Sequence, residues 1–122
     1  MAMEIKSFRE LIVWQKAMEL AKQIYNITSL FPSFDQFGLA NQMRRSAVSI
    51  PSNIAEGKQR KTKNDYLHFL RMAYGSAAEL ETQILLSKDI HSSLDYVDAE
   101  AAVIEIQKML NVLIQHLENP HS

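Results

Sequence analysis

The feature that most constrains the fold is the scarcity of turn-forming residues between long periodic apolar stretches. The chain of 122 residues contains only three glycines and three prolines. Because so few turns can be made, the structural elements must be few and long, which favours helices over a β-sandwich or barrel. A hydrophobic fraction of 47% with 22% charged residues is typical of a globular chain with a buried core.

Apolar residues recur at helical spacing in four stretches of the chain. In the first stretch, an apolar stripe is defined by residues three or four positions apart, Leu11, Trp14, Met18, Ala21 and Tyr25, and is widened by Ala17, Leu20, Ile24 and Ile27. Short polar links separate the stretches, and long helices with short links make an antiparallel bundle. We therefore predict an all-α, up-down-up-down antiparallel four-helix bundle, a single domain over 1–122, with helices over about 8–30, 39–58, 64–90 and 96–117.

The second predicted helix contains a proline within its apolar seam. Met43, Ala47, Ile50 and Ile54 are spaced 4, 3 and 4 residues apart, and Pro51 follows Ile50 directly. Proline has no backbone N–H and crowds the carbonyl four residues before it. We therefore predict a kink in this helix near Pro51.

Charge is distributed unevenly along the chain although the net charge is only −1. Residues 44–63 carry six basic side chains against one acidic side chain, whereas residues 64–122 carry three basic and nine acidic side chains. A basic run is most often a solvated loop, but the nearby Tyr66, His68 and Phe69 could add stacking or polar contacts to a nucleic acid. The candidate phosphate-binding residues are Arg44, Arg45, Lys58, Arg60, Lys61 and Lys63.

A stripe of polar residues runs beside the apolar seam of the second helix. Ser46, Ser49, Asn53 and Glu56 are spaced 3, 4 and 3 residues apart. The stripe could be a ligand-binding or catalytic patch, or a hydrogen-bonded network at a helix or subunit contact. No titrating nucleophile or base accompanies it, which favours the structural role.

Catalytic and metal-binding patterns are missing from the sequence. A di-metal bundle site needs two inward Glu-x-x-His motifs, and the one such motif here, Glu118 to His121, contains a proline. His68 and His91 have no inward glutamate at ligand spacing. No nucleophile elbow or glycine-rich phosphate loop is present, and Glu79 and Glu81 point to different sides of a helix. We expect no enzyme activity, no catalytic residues, no metal and no cofactor.

The remaining composition bears on location. The chain contains no cysteine, which excludes disulfides and thiolate metal sites. Its first residues, MAMEIKSFRE, lack the apolar region of a signal peptide, and no apolar run approaches the roughly 18–20 residues that span a membrane. We expect a cytoplasmic protein without membrane contact.

Long segments of the chain resemble a known family. The segments FRELIVWQKAMELAKQIY, QMRRSAVSIPSNIAEG and GSAAELETQ closely resemble the 23S rRNA-intervening sequence proteins, and the resemblance covers about residues 8–117. The signature positions are Arg44, Arg45, Ser49, Pro51, Asn53, Glu56, Gly57, Gly75, Ser76, Glu79, Glu81 and Gln83.

The resemblance implies an antiparallel four-helix bundle that assembles as a homopentameric ring. The family is similar in fold to the accessory protein of diversity-generating retroelements, and this similarity implies binding to RNA or DNA. The pI near 6.4 departs from that of a strongly basic RNA-binding protein. Two hypotheses follow. The chain is a nucleic-acid-binding oligomer, or it is a protein-interaction scaffold whose basic residues pair with Glu79, Glu81 or Asp89 of an adjacent chain or with another protein partner.

Overall fold

The protein consists of four helices, as seen in a computed structural model that describes residues 7–120. It is 84% helical, and the described residues contain no strand, so the predicted all-α four-helix fold class is confirmed. The helices are α1 (Ile12–Thr28), α2 (Asn41–Lys58), α3 (Lys63–Ile90) and α4 (Val97–Glu118). Single 3-10 turns at Phe8–Glu10 and Ser33–Asp35 and a π-type turn at Gln36–Ala40 complete the described elements.

Each helix packs against two others. α1 and α3 both pack against α2 and α4. Between α2 and α3, Ser46 contacts Glu79 whereas the later Ser49 contacts the earlier Ser76. The residue numbers of the paired side chains therefore run in opposite directions, as they do between antiparallel helices.

The core is one cluster of apolar side chains from all four helices. The predicted seam of α2 is part of it, because Met43, Ala47, Ile50 and Ile54 are each 0% exposed. In α4 the buried seam lies at spacings of 4, 3, 4 and 4, at Ala99, Val103, Ile106, Leu110 and Ile114.

One side of the wide apolar stripe predicted for α1 faces the core. Ala17, Leu20 and Ile24 are each fully buried, whereas Met18 and Tyr25, on the other side of the stripe, are 36% and 50% exposed. The prediction is therefore wrong for Met18 and Tyr25, because the spacing of the apolar residues does not show which side of a wide stripe the other helices cover.

Pro51 lies inside α2, which remains one helix from Asn41 to Lys58. The ring of Pro51 is buried among the residues of the core side of α2. A bend of the helix axis at this point stays a prediction.

The C-terminal end of α2 is in close contact with α3 at Gly57. A Cβ atom at Gly57 would lie 2.9 Å from Cβ of Phe69, 3.0 Å from Cδ1 of Tyr66 and 3.3 Å from the carbonyl oxygen of Tyr66. Real Cβ atoms almost never approach other heavy atoms so closely. Glycine at position 57 therefore allows the first turns of α3 to pack directly on the backbone of α2.

At the opposite end of the bundle, a carboxylate joins the link after α1 to the end of α3. Asp35 Oδ2 lies 2.7 Å from His91 Nε2, and Asp35 Oδ1 accepts a hydrogen bond from the backbone N–H of Leu39 at 2.9 Å. The ring of His91 packs against that of Phe31 in a tilted contact, with 4.3 Å between centroids. The hydrogen bond with His91, followed by that from Leu39, lowers the pKa of Asp35 below its usual value.

The variant Gly57→Ala should lower the free energy of unfolding by up to about 2 kcal/mol, because overpacking costs about 1–3 kcal/mol and alanine recovers about 1 kcal/mol of helix propensity. Urea unfolding followed by circular dichroism measures the difference. Ser52→Ala, at an exposed position of the same helix, is the matched control and should change stability by no more than about 0.5 kcal/mol. A Gly57→Ala variant more stable than wild type would contradict the close α2–α3 contact.

The contact between Asp35 and His91 predicts a loss of stability in acid. Because the pKa of Asp35 is lower in the folded chain than in the unfolded chain, where it is about 3.9, the unfolded chain binds the proton first as the pH falls. This part of the stability is complete above about pH 4 and is lost as the pH falls through the folded pKa.

Asp35→Asn should therefore reduce the difference in unfolding free energy between neutral pH and about pH 3. Urea unfolding over a pH series measures that difference. The control Asp89→Asn removes an exposed carboxylate near the same end of the bundle. An Asp35→Asn variant that loses as much stability in acid as wild type would show that the contact with His91 does not stabilise the fold.

Candidate nucleic-acid interface

The six predicted phosphate-binding residues form two separate groups. Arg44 and Arg45 lie in the first turns of α2, whereas Lys58 ends this helix and Arg60, Lys61 and Lys63 follow. At 1.5 Å per residue, Arg45 and Lys58 are about 20 Å apart along the helix axis. The basic zone predicted over 44–63 is therefore not one surface. Residues that are close in sequence can lie far apart along the axis of a helix.

Arg44 holds the link between α1 and α2. Its Nε donates to Thr28 Oγ1 and its Nη2 to Gln36 Oε1, both at 2.9 Å. Gln36 Nε2 in turn donates to the carbonyl oxygens of Thr28 and Phe31, at 2.8 and 2.9 Å. The guanidinium also lies over the ring of Tyr25, 5.5 Å from its centroid. Arg44 thus has a structural role in this chain.

Arg45 is exposed on the outer side of α2. Together with Tyr25, Asn41 and Val48 it lines a shallow groove of about 360 Å³. No hydrogen bond or ion pair engages its side chain within residues 7–120. Arg45 is available to a ligand, but it stands apart from the other free cations.

The other four cations meet where α2 turns into α3, and we call Lys58, Arg60, Lys61 and Lys63 the basic corner. The turn is well defined, since the backbone N–H of Gln59 bonds to the carbonyl oxygens of Ala55 and Glu56 at 3.2 Å. Thr62 Oγ1 then accepts from the N–H of Asp65 at 3.1 Å and caps α3. A helix end, a short turn and a capped helix start therefore fix the backbone positions of all four cations.

Two cations of the basic corner lie over aromatic rings. Lys58 Nζ is 5.7 Å from the centroid of Tyr66, and the guanidinium carbon of Arg60 is 4.7 Å from the centroid of Phe69. Arg60 Nη2 also lies 2.7 Å from Glu56 Oε1, one helical turn earlier. These contacts orient two long side chains that would otherwise be free to rotate.

The other two cations are unengaged. Lys61 and Lys63 are exposed, and in the part of the chain that the structure describes neither makes a hydrogen bond or an ion pair. Burial raises the pKa of the Tyr66 hydroxyl above its usual value, so this group stays neutral and adds no negative charge to the basic corner.

The polar stripe forms hydrogen bonds between α2 and α3, the structural role that the sequence favours. Ser46 Oγ donates to Glu79 Oε1 at 3.1 Å, and the hydroxyls of Ser49 and Ser76 are 2.8 Å apart. Asn53 Nδ2 donates to both the carbonyl and the hydroxyl of Ser49, at 2.8 and 2.9 Å. The remaining member, Glu56, does not join this network and pairs with Arg60 instead.

Glu79 and Glu81 do not form the carboxylate pair that acid–base chemistry would need. Glu79 Oε1 accepts from Ser46 and from Gln83 Nε2, whereas Glu81 Oε1 accepts from Gln107 of α4 at 2.9 Å. One carboxylate therefore serves the contact of α3 with α2, and the other serves the contact of α3 with α4.

Within residues 7–120, no group of three histidine, cysteine, aspartate or glutamate side chains could hold a metal ion. His91 contacts Asp35, and His68 packs on the edge of Phe69 with 5.4 Å between ring centroids. His121 of the Glu-x-x-His motif lies outside the described residues. In the same range, no helix is both long enough and apolar enough to cross a bilayer.

Sequence reasoning did not identify what Gly57 and the aromatic rings do. Tyr66 and Phe69 were predicted to supply contacts to a ligand, but in the structure they support Lys58 and Arg60. The signal available in the sequence is the helical spacing that puts Tyr66 and Phe69 on one side of α3. That spacing does not reveal which residues of α2 lie opposite.

Comparison with known proteins gives a family and a similar fold. The family model of the 23S rRNA-intervening sequence protein matches residues 9–112. A crystal structure of a protein of unknown function from the S23 ribosomal protein family of Bacteroides thetaiotaomicron is similar, with a TM-score of 0.77 and 28% sequence identity over 84% of this chain and 98% of that chain. No curated protein matches the chain. By its family match, the chain belongs to the 23S rRNA-intervening sequence proteins.

Proposed function

We propose that this protein is a non-enzymatic oligomer that binds RNA through the phosphate contacts of its basic corner. The observation that carries the proposal is the exposure of Lys61 and Lys63, free of partners among the described residues, beside the oriented cations of Lys58 and Arg60. Arg44 is left out of the proposed site because Thr28 and Gln36 use its donors. The proposal involves no cofactor and no catalytic residue.

The acidic side chain that pairs with Arg60 does not prevent binding. Glu56 and Arg60 are both about half exposed, with 52% and 43% of their side chains accessible. Exposed ion pairs of this kind contribute about 0.2–1 kcal/mol and are screened by salt. A phosphate can therefore replace Glu56 as the partner of Arg60 at little cost.

The family supports RNA as the proposed ligand, because its description ties it to an intervening sequence of 23S rRNA. An RNA ligand also agrees with the cytoplasmic location expected from the sequence. The charge of one basic corner is modest, so a single chain would bind weakly. Several copies held together would multiply the phosphate contacts and the salt dependence of binding.

We propose that the copies associate through the outer side of α3. This helix exposes Met72, Leu85, Leu86 and Ile90, although a surface helix normally has one polar side. At Gly75, between Met72 and Leu86 on this side, a Cβ atom would meet no atom of the chain within 4 Å. A close approach by a second copy would account for both features, and a homopentamer is the assembly expected from the family resemblance.

The self-association proposal predicts that Gly75→Leu lowers the molar mass measured by light scattering after size exclusion. The side chain has space within its own chain, so its effect would come from the neighbouring copy. Val112→Ser, which removes an exposed apolar side chain from α4, is the matched control and should keep the wild-type mass. A Gly75→Leu variant with the wild-type mass would place the contact elsewhere, and a monomeric wild type would refute self-association.

A second candidate function is a protein-interaction scaffold without nucleic-acid contact. It is favoured by Phe34 and Phe37, which are 81% and 93% exposed in the link between α1 and α2. The pairing expected for a scaffold is less well supported, because Glu79 and Glu81 already accept hydrogen bonds within their own chain. Asp89 is the remaining acidic partner named by that hypothesis.

The RNA-binding proposal predicts that Lys61→Ala/Lys63→Ala weakens binding to a fluorescent RNA hairpin by at least about tenfold at roughly 50 mM salt. Both side chains are exposed and make no contact that folding requires. The slope of log affinity against log salt should fall by about 1 for each phosphate group that the variant no longer binds. Fluorescence anisotropy at roughly 50 and 200 mM salt measures both quantities.

Lys108→Ala removes an exposed cation from α4 and is the matched control, which should bind as wild type does. Arg45→Ala tests the separate cation on α2. If wild type does not bind at the lower salt, or if the double variant binds equally well, the basic corner is not an RNA site. Loss of binding in Arg45→Ala alone would move the site to the first turns of α2.

A further inference from the structure

The two aromatic residues of the basic corner begin from positions packed closely on α2. A methyl group at Gly57 would lie 3.0 Å from the ring atom Cδ1 of Tyr66 and 2.9 Å from Cβ of Phe69. No base can enter between these side chains and α2 without separating the two helices.

A cation also covers one face of each ring. Lys58 lies over the ring of Tyr66 at 5.7 Å and Arg60 over the ring of Phe69 at 4.7 Å, measured to the ring centroids. His68 stands against Phe69 at an interplanar angle of 74°, in an edge-to-face contact. Proteins that bind single strands stack successive bases on open aromatic faces. Here a base that stacked on the covered face would first have to displace a cation that belongs to the phosphate site itself.

The cations of the basic corner, in contrast, are accessible to phosphate groups. Lys61 and Lys63 extend into solvent, and Arg60 is oriented by Phe69 and Glu56. A duplex presents one charge for about every 1.7 Å of its axis, and its bases are stacked inside. A surface that offers free cations and uses its aromatic rings to support other cations therefore matches a duplex better than an unpaired strand.

We infer that the basic corner binds the phosphate backbone of double-stranded nucleic acid, and that Tyr66 and Phe69 position its cations instead of stacking on bases. This inference rests on the proposed function and specifies its ligand. It assigns the two rings a positioning role toward Lys58 and Arg60.

The test compares three probes of about 20 nucleotides or base pairs on the full chain at one low salt concentration: single-stranded oligouridylate, duplex RNA and duplex DNA. We expect duplex RNA to bind at least about tenfold more tightly than oligouridylate. Phe69→Leu, checked by circular dichroism for helix content, should not weaken oligouridylate binding more than duplex binding. Equal binding of duplex DNA supports recognition of backbone charge, and preference for duplex RNA supports recognition of its helical form.

The inference fails if oligouridylate binds as tightly as duplex RNA or more tightly. It also fails if Phe69→Leu reduces single-strand binding selectively, because that result would identify Phe69 as a stacking platform. If none of the three probes binds, the proposed function itself fails, and the inference fails with it. The two failures are therefore distinguished by whether any probe binds at all.

Discussion

The close contact between α2 and α3 is the constraint on which the rest of the structure depends. The apolar seam of α2, from Met43 to Ile54, is completely buried, and hydroxyl pairs such as Ser49 with Ser76 fix the register of the two helices. At the end of this contact, Gly57 lets Tyr66 and Phe69 lie on the backbone of α2. A one-turn shift of either helix would break the polar pairs and the glycine contact together.

The contact between α2 and α3 also determines where the cations of the basic corner lie. Because Tyr66 and Phe69 are held against α2, their rings lie within contact distance of the cations of Lys58 and Arg60. The turn that follows α2 leaves Lys61 and Lys63 exposed. Packing between two helices thus produces a small cationic site, although the chain as a whole has a net charge of −1.

Much of the fold could be predicted from periodicity, but the site could be predicted only in part. The helix positions and the seam of α2 follow from spacing, which is a local property of the chain. The exposure of Met18 and Tyr25 and the role of Arg44 could not be predicted in this way. Met18 and Tyr25 lie on the side of a wide apolar stripe that the other helices leave uncovered, and Arg44 bonds to Thr28, which is distant in sequence. Contacts between residues that only tertiary packing brings together produce no local sequence pattern, so they could not be predicted from spacing.

The measurement that tests the proposed site most directly is lysine acetylation of the protein with and without duplex RNA, followed by mass spectrometry. The account predicts that Lys58, Lys61 and Lys63 become protected when RNA is bound. The distant lysines of the described helices should keep their reactivity; these are Lys16, Lys22, Lys88 and Lys108. Protection spread evenly over all lysines, or confined to the distant ones while RNA is bound, would contradict a site at the basic corner.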